Sequence, residues 1–561
     1  MTTTSAPPLS GGRGIAPAET DSEQPGRRGH RSGSHRPRPL MVVALVVSAA
    51  VLLPVVFLIM QAVGVGRGDL SHLLLRNLTA HLVWNTISLT VVVTALCATV
   101  GTLAAWVTER TAVPGRRFWA VLVVIPLGIP DFVVSFGWRA IFPAFGGFWA
   151  AVLVMTLAVY PLVYLPVAAS LRHADPAQEE VARSLGLGRL ATFWRVTVGQ
   201  ARLAILGGSV LVALVVLAEF GAFEILGFNT LTTEIYTEFT VGFDQSAACA
   251  FSLILVVLGG LILFGEGAAR GHGRSSRLGS GAARESRPLR LGRSTLPVLV
   301  GMGLLVGLAL GVPVGSIIYL LIRGGTSTLP AASLAGAAGH TFMYAASAGL
   351  LATGAALPVA LLSVRSPGRI VRLLERTNML VLAVPSLVIA LSFAYFTEHD
   401  LQGNFYQTTL LLVIAYAVMF FPMAVVAVRA AVARSPVGLE EVGHSLGVSR
   451  LAVFWRVTLP LIGPGLAAAF CLVFLESATE LTATLVLHPT DSATLATQFW
   501  AYQTNLSYSQ AAPYAGVMLL LAAVPSYVLG RWFDRQPGRL SAAQVTGPTP
   551  SSISPSTMVS L

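Results

Sequence analysis

One polar segment of this chain occurs twice. Residues 179–197 read EEVARSLGLGRLATFWRVT and residues 440–458 read EEVGHSLGVSRLAVFWRVT. The two align without a gap at an offset of 261 residues and agree at 14 of 19 positions. Chance does not produce such a match, so the chain is internally duplicated and must fold as two related halves. Both segments are polar and lie between long apolar runs. Ordinary loops drift after duplication, so a polar loop kept twice points to two copies of one docking surface.

The runs between the loops set the class. Of 561 residues 54% are hydrophobic and only 11% charged, with a mean hydropathy of +0.74. A soluble domain could not bury that much apolar surface, so the expected fold is an all-α polytopic membrane protein. Runs of spanning length fall at about 40–63, 85–107, 118–138, 147–170, 203–225 and 246–267, then 296–322, 340–364, 378–396, 407–433, 462–486 and 513–532. That makes twelve spans, six in each half. All 36 basic Lys/Arg residues are arginine. With the N-terminus cytoplasmic, 32 arginines fall on the cytoplasmic side and 4 outside, which is the bias that orients membrane proteins. The net charge of +11 is thereby accounted for without a nucleic-acid partner.

Five segments follow. Residues 1–39 and 536–561 read as disordered cytoplasmic tails, rich in small residues and proline. Residues 40–267 and 294–535 form the two repeats. Residues 268–293 carry seven Arg among Gly and Ser and read as a flexible basic linker. Six spans is an even number, so the repeats are parallel. A pseudo-two-fold axis then runs along the membrane normal, with a pathway at the interface of the halves.

Each loop reads as a short rigid helix. Asp175-Pro176 and Ser435-Pro436 resemble an N-cap followed by a first-turn proline. Glu179, Glu180, Glu440 and Glu441 fall in the first turn, where the helix dipole favours acids. Gly186 and Gly447 read as stops. An interfacial segment with Phe193-Trp194-Arg195 or Phe454-Trp455-Arg456 follows.

This pattern resembles the EAA loop of binding-protein-dependent ABC importer permeases. Glu180, Ala182 and Gly186 match it in the first copy, and Glu441, Gly443, Gly447 and Pro460 in the second, with Gly443 replacing the usual alanine. The first copy has Gly199 where the second has Pro460. Stretches around Leu217 to Gly221, Gly227 to Tyr236, Glu480 to Leu487 and Thr494 to Thr497 resemble the fused iron(III)-type permeases, over residues 40–535. The resemblance implies a type I importer permease in the plasma membrane, with both termini cytoplasmic. It also implies two ATP-binding cassette subunits docked on the loops and an extracytoplasmic substrate-binding protein. Iron(III) is the implied cargo; thiamine, phosphonate and polyamine remain open.

The chain holds no lysine, so it has no Walker A loop of the usual form. It reads as a non-catalytic subunit without a cofactor, the ATP being hydrolysed elsewhere. The competing reading, a gradient-driven secondary transporter, needs ionisable residues inside the membrane. Asp131, Glu219, Glu224, Glu476 and Glu480 are the candidates, and serve equally as pathway residues in an importer. A membrane enzyme is disfavoured, because the ten His are scattered, and Cys97, Cys249 and Cys471 show no metal or disulfide spacing. Pro130 and Pro385, and Pro161 and Pro422, sit at related places within spans and read as hinges or static kinks.

Overall fold

In lipid the backbone of a long apolar run is satisfied only by bonding to itself, so such runs become helices. The computed structural model describes residues 38–64, 76–174, 177–270, 289–324, 331–366, 368–399 and 405–534. Both expected tails, except residues 38 and 39, lie outside the described residues, as do linker residues 271–288 and the Asp175-Pro176 pair. Among the described residues nine helices are long and apolar enough to cross a membrane, and two bent helix pairs raise this to eleven. The twelfth expected span coincides with a further helix of 27 residues, Tyr508–Asp534.

The halves repeat element by element. Asn77–Arg110 corresponds to Ala331–Arg365, Phe148–Arg172 to Thr409–Arg434, and Val198–Ala218 to Leu459–Thr479. Short helices follow the last pair: Gly221–Leu226 and Leu231–Thr237 in the first half, Thr482–Leu487 and Leu495–Thr504 in the second. The expected spans 203–225 and 462–486 therefore start earlier and stop earlier than hydropathy indicates. Their apolar character runs on into separate short helices.

Two expected spans are not straight. The third is Arg116–Gly128 followed by Asp131–Ile141 at 94°, and its partner is Arg369–Ala383 followed by Ser386–Glu398 at 100°. Pro130 and Pro385 stand at these breaks, with extended backbone at Ile129 and Val384. They are corners rather than kinks. Pro422, by contrast, lies inside a continuous helix, and Pro161 starts one that continues the preceding helix as a single span.

The first span of each half crosses to the other half. The helix Arg38–Gly64 packs on Ala331–Arg365 and Ser386–His399, and buried Asn378 donates from Nδ2 to Ser48 Oγ at 3.0 Å. The helix Val312–Gly324 packs on Asp131–Ile141, where a Cβ at Gly137 would lie 2.8 Å from Pro313 Cα. One apolar core therefore joins first-half spans to Met302, Ile317 and Tyr514, and the other joins second-half spans to Ala44, Val51 and Phe251. The halves are interlocked, an arrangement that hydropathy cannot reveal.

Candidate functional site

Both polar loops hold a short helix, Ala177–Ser184 and Val437–Ser445. Gly186 (φ +87°) and Gly447 (φ +77°) end them in left-handed backbone, which costs glycine little. The N–H of Leu187 donates to Ala182 O at 3.1 Å and that of Gly186 to Arg183 O at 3.0 Å. In the second copy Val448 donates to Gly443 O at 3.1 Å and Gly447 to His444 O at 3.0 Å. At the other end the expected cap is displaced. Pro436 occupies the N-cap position without a side-chain bond, and Ser435 Oγ is buried without a partner.

One glutamate seats each helix. Glu179 Oε1 accepts from Thr197 Oγ1 at 3.0 Å and lies 3.5 Å from Arg110 Nε, while Arg110 Nη2 donates to Ala174 O at 3.3 Å. Glu440 Oε1 accepts from Thr458 Oγ1 at 3.1 Å and from Arg365 Nη2 at 2.6 Å, while Arg365 Nη1 donates to Ser435 O at 3.3 Å. Each threonine closes a π-helical turn, Phe193–Thr197 or Phe454–Thr458, that opens directly into a helix of 21 residues. Such wide turns are rare and favour functional positions.

Those two helices end at Glu219 and Glu480, about 33 Å along the axis from the threonines at 1.5 Å per residue. Each carboxylate accepts the N–H three residues on, from Ala222 at 2.7 Å and from Ala483 at 3.0 Å. Glu219 lies within electrostatic reach of Asp131 and Glu480, and Glu476 within reach of Glu480 and Asp131. These four are half-buried where the halves meet, and no arginine among the described residues is an electrostatic neighbour of theirs. Ser386 follows Pro385 as Asp131 follows Pro130, and it lies beside Glu480. Among the described residues no three His, Cys, Asp or Glu are arranged to hold a metal ion.

Next to the carboxylates the halves close on each other. Buried Phe220 has its ring centroid 4.5 Å from that of Tyr236 and 5.6 Å from that of Trp500. Phe499 lies 5.3 Å from Phe132 and 5.0 Å from Phe136. A Cβ on Gly221 would lie 2.7 Å from Leu481 Cδ2. No side chain larger than hydrogen fits there without a shift.

Residues 98–265 and 352–538 each match the family described as the binding-protein-dependent transport system inner membrane component. The chain belongs to this family. It is 36% identical over 498 residues to an Fe(3+)-transport system permease protein of Haemophilus influenzae, covering 88% of this chain and 98% of the relative. A ferric transport system permease protein of Actinobacillus pleuropneumoniae is 24% identical over 456 residues, 74% of this chain and 65% of the relative. A sulfate transport system permease protein of Escherichia coli is 25% identical over 245 residues, 39% of this chain and 84% of the relative. The chain is thus a multi-pass membrane permease with the family domain twice.

Within this permease the expected loop residues take different places. Gly186 and Gly447 stop the helices. Glu180 and Glu441 are exposed, free to meet something outside the chain. Ala182 is buried, and a Cβ on Gly443 would come 2.9 Å from Val453 Cγ2. Pro460 lies in the first turn of its long helix. Of the membrane acids, Asp131, Glu219, Glu476 and Glu480 assemble; Glu224 is exposed and outside the group. The seating set is Arg110, Glu179 and Thr197 with Arg365, Glu440 and Thr458; sequence reasoning placed Glu179 and Glu440 in the first helical turn but singled out neither the arginines nor the threonines that hold them. Glu179, Thr197 and their copies are identical in the two loops, which was a usable signal. Arg110 and Arg365 are 255 residues apart rather than 261, so a gapless comparison passes over them.

Proposed function

We propose that this chain is the transmembrane permease of an ATP-driven importer, with the loop helices as the parts on which two ATP-binding cassette subunits dock. The observation that carries this reading is the pair of helices seated by the same Arg, Glu and Thr types, each leading into a 21-residue helix that ends at a carboxylate of the inter-half interface. Exposed Glu180 and Glu441, with Gly186 and Gly447 behind them, form the contact surface. Movement of the loops is carried along the long helices to the closure at Phe220, Gly221 and Leu481, so that access alternates between the two sides. Both termini and both loops lie in the cytoplasm, as the arginine bias supports. An extracytoplasmic binding protein delivers cargo to the opposite face. The repeats extend over 40–267 and 294–535.

The cargo we propose is iron(III), the ion named in two relatives. Asp131, Glu219, Glu476 and Glu480 line the pathway. A lining of four carboxylates, with no arginine beside them among the described residues, favours a cation and opposes sulfate or a phosphonate. The carboxylates do not chelate, which suits passage rather than storage. Thiamine and polyamines, also cations, are the competing cargoes.

The test is copurification followed by transport. The tagged chain, taken from native membranes in mild detergent, is expected to bring down an ATPase at about two copies per chain. Proteoliposomes of that complex, given the cognate binding protein loaded with ferric iron, are expected to accumulate iron only with ATP inside. Recovery of the chain alone, with uptake that collapses with an ion gradient, would sink the importer. ATP-driven uptake of thiamine or a polyamine in place of iron would replace the cargo only.

A further inference from the structure

We infer that residues 289–291, the end of the segment joining the halves, form a strap that seals the seat of the first loop helix and makes the two seats unequal. Leu289 N donates to Arg110 O at 2.9 Å and Ala112 N donates to Leu289 O at 2.9 Å, a short parallel bridge centred on Thr111. Arg110 is the residue that pairs with Glu179. Leu289 and Leu291 join Trp106, Glu179, Arg183 and Phe193 around one small cavity. The far end of the expected linker is therefore not a free tether; it is bound to the first half.

The consequence is visible in burial. The two seats share an Arg, a Glu and a Thr in the same roles, and Glu179 Oε2 also accepts from Arg183 Nη2 at 3.3 Å where the second copy has His444; the Arg110 and Glu179 side chains are 3% and 4% exposed, and those of Arg365 and Glu440 are 18% and 19%. Phe193 is buried, whereas its copy Phe454 is only half-buried. Among the described residues no backbone bridge crosses Arg365 as Leu289 crosses Arg110. A desolvated ion pair resists opening more than a wetted one, because separating it strands a charge in a poor solvent. The strap also leads directly into the span Gly292–Gly324, which packs on the first half at Gly137. The strap is thereby anchored at both ends to packed helices, so the first loop that it covers is held more firmly than the second. In the importer, and resting on the docking reading above, one ATPase would meet a stiff seat and the other a compliant one.

Hydrogen exchange of the full chain in lipid nanodiscs, without ATPase, tests this independently of docking. Amides of 182–187 are expected to exchange at least tenfold more slowly than those of 443–448. Leu289→Pro, which deletes the donor to Arg110 O, should raise the first loop to the rate of the second and leave the second unchanged. Should that variant misfold, Leu289→Ala with Leu291→Ala weakens the same contacts, and the same rise is expected. Equal exchange of the two loops in the native chain overturns the proposal, as does a strap variant that folds and leaves the first loop slow. Loss of ATPase copurification with this exchange asymmetry intact would count against docking alone.

Discussion

Arg365 Nη2 stands 2.6 Å from Glu440 Oε1, an oxygen that also accepts from Thr458. The first half builds the same node from Arg110, Glu179 and Thr197. Removing one partner of a buried pair costs about 3–5 kcal/mol, because the other charge stays buried and alone. A partly exposed charged hydrogen bond is worth about 1.5–3 kcal/mol. Glu179→Gln is therefore expected to lower the detergent melting temperature of the chain more than Glu440→Gln. Thermal unfolding of both purified variants checks the order; equal shifts, or the reverse order, would refute it.

Gly186 and Gly447 adopt backbone that costs other residues about 1–2 kcal/mol. Gly447→Val, whose branched side chain is poorly tolerated in left-handed backbone, is expected to melt the last turn of the second loop helix and reduce uptake at least tenfold, while the chain still reaches the membrane. The surface itself is probed by Glu180→Lys with Glu441→Lys. Both residues are exposed, so the fold should persist while ATPase copurification and uptake are lost. Normal uptake by the double variant would remove the loops from any docking role.

The duplication, the membrane class and the glycine stops were legible because each depends on local sequence. Polar segments repeat letter by letter, apolar runs have a length, and Gly186 follows its helix at the required place. What stayed hidden depends on partners distant in sequence. Nothing in residues 40–63 says that Ser48 will meet Asn378. The right-angle breaks at Pro130 and Pro385 look in the sequence like the unbroken positions at Pro161 and Pro422. Glu179 could be assigned to a helix dipole, but its arginine lies in another span at a shifted offset. The bridge at Leu289 sits at the edge of a segment whose composition reads as linker throughout.

Phe220 fills the closure between Tyr236 and Trp500, one from each half. Truncating a buried aromatic costs about 3–5 kcal/mol when the site cannot collapse. Phe220→Ala with Leu481→Ala is expected to open a leak between the halves. Proteoliposomes of this variant alone should pass small cations several-fold faster than those of the native chain, with no ATPase or binding protein present. An unchanged leak in a correctly folded variant would place the closure elsewhere.

The two halves solve one packing problem with opposite volumes. In the first, a Cβ on Gly101 would lie 2.9 Å from Val163 Cβ, and a Cβ on Gly208 would lie 2.7 Å from Val163 Cα. The same added atoms would lie 2.9 Å from Tyr160 O and 2.9 Å from Leu162 O, so the two glycines make room for main chain where three helices cross. The matching residues of the second half are Ala356, Ala469 and Ala424, all fully buried. There each side chain is a methyl group, and the volume is shared evenly. Gly101→Ala or Gly208→Ala alone is expected to destabilise by about 1–3 kcal/mol through overpacking. Val163→Ala alone should cost about 1–3 kcal/mol through lost contacts. Val163→Ala keeps Cα and Cβ and relieves neither contact, so the triple variant should be destabilised by about the sum of the singles despite matching the second half in composition. A thermal-unfolding cycle over the singles, doubles and triple measures the coupling, and a triple variant more stable than that sum by over about 1 kcal/mol would show that the valine methyl groups, rather than the main chain, set the spacing of the crossing.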